Sequence, residues 1–151
     1  MRALNLPQYP FKIIQEGKKT KIFDAIRRGF FVLTPEEWVR QNLIQFLIED
    51  RAYPKGLIAI EKGLKVNGLP KRFDALVYHQ NGNPKLLVEC KAPEIQIDQK
   101  AFDQIARYNY SLKLPYLLVS NGLQHYCAKV NWQTKEFEFL NDIPHYEEIL
   151  D

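Results

Sequence analysis

RFDALVYHQNGNPKLLVECKAP, Arg72 to Pro93, decides the fold: two apolar runs flank Asn81-Gly82. Both residues of an Asn-Gly pair tolerate positive φ, so this pattern predicts an antiparallel hairpin with a two-residue loop. Counting outward from that loop sets Gln80 opposite Asn83, Tyr78 opposite Lys85, Leu76 opposite Leu87 and Asp74 opposite Glu89. Side chains alternate across a strand, which gives Asp74, Leu76 and Tyr78 one sheet face with Leu87, Glu89 and Lys91. Two carboxylates directly opposed repel each other unless a cation lies between them. Lys91 adds an ammonium beside the same spot. Two acids and a lysine therefore converge on one place.

Such a trio suits a metal-dependent phosphodiesterase. Phe73-Asp74, a hairpin, then Glu89-Cys90-Lys91 resembles the Asp…Glu-x-Lys signature of the PD-(D/E)xK nuclease superfamily. Five segments extend the likeness in order: TPEEWVRQ (Thr34 to Gln41), KRFDALVY (Lys71 to Tyr78), LLVECKAP (Leu86 to Pro93), QIARYN (Gln104 to Asn109) and YLLVSNG (Tyr116 to Gly122). Together they resemble the N-terminal nuclease domain of type I restriction enzyme R subunits, over Leu33 to Val130. The resemblance implies a restriction-endonuclease-like α/β (α+β) core that cuts DNA, with restriction-modification subunits or a homodimer partner as associates. Asp74, Glu89 and the Cys90 carbonyl would hold the metal, Lys91 would serve the reacting phosphate, and an acid of the first helix, Glu37, would face the site. Gln104 and Tyr108 would form a Gln-x-x-x-Tyr element beside it, with Tyr108 toward substrate. ATP-driven translocation is not carried over, because no helicase motor is present in these residues.

With 151 residues, 46% of them hydrophobic and 26% charged, the chain has the size and composition of one soluble globular domain. The expected division is a β-rich extension over 1–33, a nuclease-like core over 34–130, and a strand with a tail over 131–151. A net charge of +3 is compatible with nucleic acid without demanding it. Cys90 and Cys127 form no C-x-x-C pair, so a zinc site or disulfide framework is not indicated, and a reducing, cytoplasmic compartment is expected. No apolar run approaches the ~20 residues of a membrane helix, and the N-terminus has no signal-peptide core.

Strands are expected at Phe11–Ile14, Lys21–Phe23 and Phe30–Leu33. Thr34-Pro35-Glu36-Glu37 then starts a helix, with Thr34 as N-cap, Pro35 in the first turn and Glu37 closing a capping box. Helical spacing runs through Val39, Leu43, Phe46 and Leu47 toward Asp50, with Arg40 and Gln41 interrupting one flank. Leu57–Ile60 and Leu64–Val66 read as one strand kinked at Gly63. A second helix is expected from Asp98 to Leu112, followed by strands at Tyr116–Val119, His125–Val130 and Phe137–Leu140. A mixed central sheet between helices results.

Hard oxygen ligands select Mg²⁺ or Mn²⁺. Glu37 has two readings, helix cap and metal-site acid, with Glu36 as its substitute. Gln104 and Tyr108 lie one turn apart on one helix side. The three histidines are too scattered to be a ligand set, and the basic residues near Lys18 and Arg27 read as a solvated face. The leading expectation is a DNA endonuclease. A non-catalytic DNA-binding or assembly module, or a repair or RNA-directed nuclease, stands beside it.

Overall fold

Thr34 and Pro35 divide the chain into a small sheet before them and a larger one after. The computed structural model describes residues 1–66, 68–110 and 112–150, without the side chains of Lys62, Leu64, Val66, Lys71 and Tyr108. Before Thr34, strands β1 (Ile13–Glu16), β2 (Lys19–Asp24) and β3 (Gly29–Val32) form an antiparallel meander. Helix α1 (Pro35–Arg51) then begins where the sequence places it: the Thr34 side chain accepts the Glu37 N–H. The expected capping box is only half made. The Thr34 N–H donates to the Val32 carbonyl, and the Glu37 carboxylate turns to arginines.

Six strands make the main sheet in the order β4-β5-β6-β7-β8-β9: Ile58–Val66, Leu69–Tyr78, Pro84–Cys90, Tyr116–Ser120, His125–Asn131 and Glu136–Phe139. Only β6 and β7 pair in parallel; every other neighbour is antiparallel. The parallel step needs a crossover, and α2 (Gln99–Tyr108) supplies it, capped by the Asp98 side chain on the Ala101 N–H. This helix ends at Tyr108, one turn short of the expected Leu112.

The sheet lies between the two helices, as the sequence implies. Val39, Leu43 and Leu47 of α1 pack with Ala75, Val77, Leu86, Val88, Cys90 and Leu118 on one face. Phe102 and Ala106 of α2 pack with Leu76, Leu87, Leu117 and Val119 on the other. Burial from both sides explains why β7 is apolar without alternation. Cys90 points into the α1-side core, as expected. No described helix is long and apolar enough to cross a membrane.

The central hairpin departs from the expected turn yet keeps the expected register. Gly82 N–H donates to the His79 carbonyl and His79 N–H to the Asn83 carbonyl. The loop is thus Gln80-Asn81-Gly82, three residues, with Gly82 at φ +91°. Tyr78 therefore pairs with Pro84, not Lys85, and a bulge follows that leaves Lys85 unmatched. Beyond it Leu76 faces Leu87 and Ala75 faces Val88, the register predicted from the sequence. Gln80 enters the loop, Lys85 leaves the ladder, and the two slips cancel.

Open space surrounds the Gly82 Cβ position, so an added methyl meets only the backbone penalty of positive φ, about 1–2 kcal/mol. Gly82→Ala should lower the midpoint of thermal unfolding by roughly 2–8 °C. A midpoint equal to that of the unaltered protein would show that the loop does not need its glycine.

Candidate functional site: an acid pair in a strand fork

The site forms where β5 and β6 part. Their pairing stops at Ala75↔Val88, and the next inward-facing amide, Cys90 N–H, is satisfied by the Asp74 carboxylate at 2.7 Å. The Asp74 side chain fills the fork between the strands. Alternation is broken there: Phe73 and Leu76, three residues apart, share the α2-side cluster. Across the ladder from Asp74, Glu61 of β4 holds φ +51°, an uncommon conformation for a side-chain-bearing residue. The expected kink at Gly63 is replaced by this irregularity at Glu61.

From the fork Asp74 meets groups on both sides of the sheet. Arg40 of α1 donates to its Oδ1 at 3.1 Å. Glu89 lies beside it, close enough for the Asp74 charge to act on its carboxyl. Burial, then the nearby Asp74 charge, pushes the Glu89 carboxyl up to about 8, while Lys91 pulls it down and Glu36 adds to the rise. The predicted meeting of Asp74, Glu89 and Lys91 is therefore present, with Asp74 lying in the fork.

The structure separates the two glutamates of α1. Glu37 is buried and saturated: Arg27 Nη2 donates to both its oxygens at 2.7 Å, Arg40 Nη2 donates at 2.7 Å, and Gln41 donates at 3.3 Å. Burial raises its carboxyl, but the Arg40 and Arg27 bonds outweigh this and hold it below its ordinary value. Glu36, one residue earlier, is exposed. Partial desolvation and then the Asp74 charge raise its carboxyl, with Lys91 and Arg40 acting the other way. Glu36 thus senses the acid pair directly; Glu37 reaches it through Arg40.

Two cavities flank the fork. One of about 340 Å³ is lined by Thr34, Glu36, Glu37, Arg40, Glu61, Arg72, Phe73 and Asp74. The other, about 510 Å³ and under α2, is lined by Arg72, Phe73, Glu89, Lys91, Ala101, Gln104, Ile105 and Asn109. Gln104 therefore stands where the sequence places it. The Tyr108 side chain lies outside the described residues. Among the described residues, no group of three or more His, Cys, Asp or Glu side chains is arranged to hold a metal ion. Sequence reasoning missed Arg40, Glu61 and Arg72. Arg40 had left a trace as a charge interrupting the apolar flank of α1.

A mixed α+β domain with a half-buried acid pair and a lysine at the fork of its central sheet is the class these observations define. A family model described as the type I restriction enzyme R protein N terminus matches residues 35–144. The chain belongs to this family. It shares its fold with a fragment structure of an HsdR subunit of a type I restriction enzyme from Vibrio vulnificus YJ016, at 21% identity and a TM-score of 0.50. That match covers 70% of this chain and 22% of the other, so it spans about a fifth of that fragment's chain. No curated protein matches it.

The acid pair has a consequence for stability. A carboxyl raised in the folded state binds a proton that the unfolded chain has already lost, so folding becomes less favourable as pH climbs from the unfolded value toward about 8. Glu89→Gln removes this dependence. Its unfolding midpoint in chelator should exceed that of the unaltered protein at pH 8.5, and the gap should shrink steadily toward pH 5. Parallel curves for the two proteins across that range would contradict the acid-pair account.

Proposed function

We propose that this chain is a metal-dependent endonuclease domain that hydrolyses DNA phosphodiester bonds within a restriction-modification system. The observation that carries the reading is the Asp74–Glu89 pair with Lys91 beside it. Membership in the R-protein family supports the restriction context. Two carboxyl groups held side by side, with burial and the Asp74 charge raising Glu89, suit a hard dication, because the ion removes the repulsion that burial intensifies. Each Asp74 oxygen makes one hydrogen bond in this structure, and a carboxylate oxygen has lone pairs for another partner. Asp74, Glu89 and the Cys90 carbonyl would hold Mg²⁺ or Mn²⁺. A bound ion there supplies Lewis acidity for the phosphate and lowers the pKa of a water.

The chain's own residues do the rest. Lys91 places a compact positive charge at the cavity wall, where it stabilises the charge that builds on the phosphate during attack. Glu36, with its raised carboxyl at the cavity mouth, is suited to hold or accept the proton of the attacking water. Glu37 acts one step removed, by fixing Arg40 against Asp74. Gln104 and, by its place one turn later, Tyr108 would touch the substrate from α2. DNA and the other subunits of a restriction complex are the proposed partners.

The Arg40–Asp74 contact favours a second reading. A guanidinium already neutralises one acid of the pair, as in a module that keeps the fold for DNA binding or complex assembly without catalysis. Metal titration separates the two. Under the nuclease reading, Mn²⁺ raises the unfolding midpoint of the unaltered protein, since a ligand stabilises the state that binds it. Lys91→Ala should keep this rise yet lose DNA cleavage. No Mn²⁺ response in the unaltered protein would overturn the catalytic reading, and equal cleavage by Lys91→Ala would remove its role.

The glutamates offer a further test. Glu37→Gln uncovers two arginines, one of them, Arg40, only 8% exposed, and should destabilise the fold by about 3 kcal/mol or more. Glu36→Gln should stay within about 0.5 kcal/mol of the unaltered protein while lowering cleavage at least ~10-fold, on the scale of a lost general base. Melting curves and cleavage assays on both variants check this; full activity in Glu36→Gln would exclude it from the site.

A further inference from the structure

Strands β4 and β5 continue well past the sheet they belong to. Their ladder runs from Ile58↔Val77 to Val66↔Leu69, whereas β6 accompanies β5 only from Ala75 onward. From Lys62↔Phe73 to the tip, the described pairing leaves a two-stranded ribbon with both edges open. Four residue steps give it a reach of roughly 13 Å. Its base adjoins Asp74, and Arg72 lines both cavities at the fork.

The charge of this ribbon differs from that of the rest of the chain. Residues 62–72, KGLKVNGLPKR, contain Lys62, Lys65, Lys71 and Arg72 and no acid. They carry +4 in a chain whose net charge is +3, so the residues outside the ribbon sum to −1. Lys65 and Arg72 are exposed, and Leu69 at the tip is 65% exposed. A basic edge resists pairing with another copy of itself, because lysines on an open strand repel their counterparts.

We propose that the β4–β5 ribbon is a duplex-DNA-binding arm that lies in a groove beside the phosphate to be cut. A two-stranded ribbon fits the major groove, which is about 12 Å wide and 8.5 Å deep. With duplex phosphates spaced about 3.4 Å along each strand, the arm spans roughly four base pairs from the fork. Its positive charge faces phosphates, so the grip is independent of sequence and sensitive to salt. The choice of duplex DNA rests on the nuclease reading; the basic, open-edged ribbon does not.

The test is fluorescence anisotropy with a labelled DNA duplex in chelator, titrated from 50 to 200 mM salt, on the unaltered protein and Lys65→Gln/Lys71→Gln. Loss of two phosphate contacts should reduce the slope of log affinity against log salt by roughly 2 and weaken binding about 10-fold or more near 0.1 M salt. The Mn²⁺-induced rise in unfolding midpoint reads the acid pair separately and should not change. Equal affinities and salt slopes in the two proteins, with the Mn²⁺ response intact, would overturn the arm and leave the nuclease reading in place. A weaker-binding double variant with no Mn²⁺ response in either protein would uphold the arm and overturn catalysis. Sedimentation showing a dimer of the unaltered protein that the double variant loses would assign the ribbon to a second copy and overturn the proposal.

Discussion

A buried guanidinium organises this molecule. Arg40 lies beneath the sheet with Glu37, Glu61 and Asp74 around it at 2.7, 3.2 and 3.1 Å, and these acids raise its pKa further against the cost of burial. Neither charge of such a set tolerates losing its partner. The network also joins parts distant in sequence. Arg27, stacked 3.5 Å over the Phe31 ring, reaches from the small N-terminal sheet to Asp24, Glu37 and Glu61. Through two arginines, the meander, the first helix and β4 all bear on the orientation of Asp74.

The acid pair then follows from where the strands separate. While β5 and β6 remain paired, their inward groups are apolar and fully buried. Where they part, the Cys90 amide needs an acceptor and Asp74 supplies one. Glu89, one residue before Cys90, is thereby set against a fixed negative charge in a partly buried place. Burial first, and then that charge, raise its carboxyl.

Much of this was legible in the sequence because the relevant signals are local. Thr34 and Asp98 cap helices by their own side chains, the continuous apolar run of β7 announces its burial, and Asp74, Glu89 and Lys91 follow from hairpin counting. The difficulties were of another kind. Glu37 looks like half of a capping box until Arg27, ten residues earlier, is seen to reach it; no spacing rule links a turn before a helix to that helix's buried face. Arg40 was visible only as a flaw in an apolar stripe, since its partner Asp74 is 34 residues away. The irregular backbone at Glu61 has no residue signature such as glycine, and Gly63 drew attention instead.

The paired irregularities of the central hairpin have a consequence for how the domain can change over generations. Its three-residue loop and the unmatched Lys85 offset each other, so the acids near the fork keep the register that a two-residue loop without a bulge would give them. Alteration of the turn can be absorbed by gain or loss of the bulge, several residues away from the chemistry. The hairpin end behaves as an expansion joint between the turn and the fork.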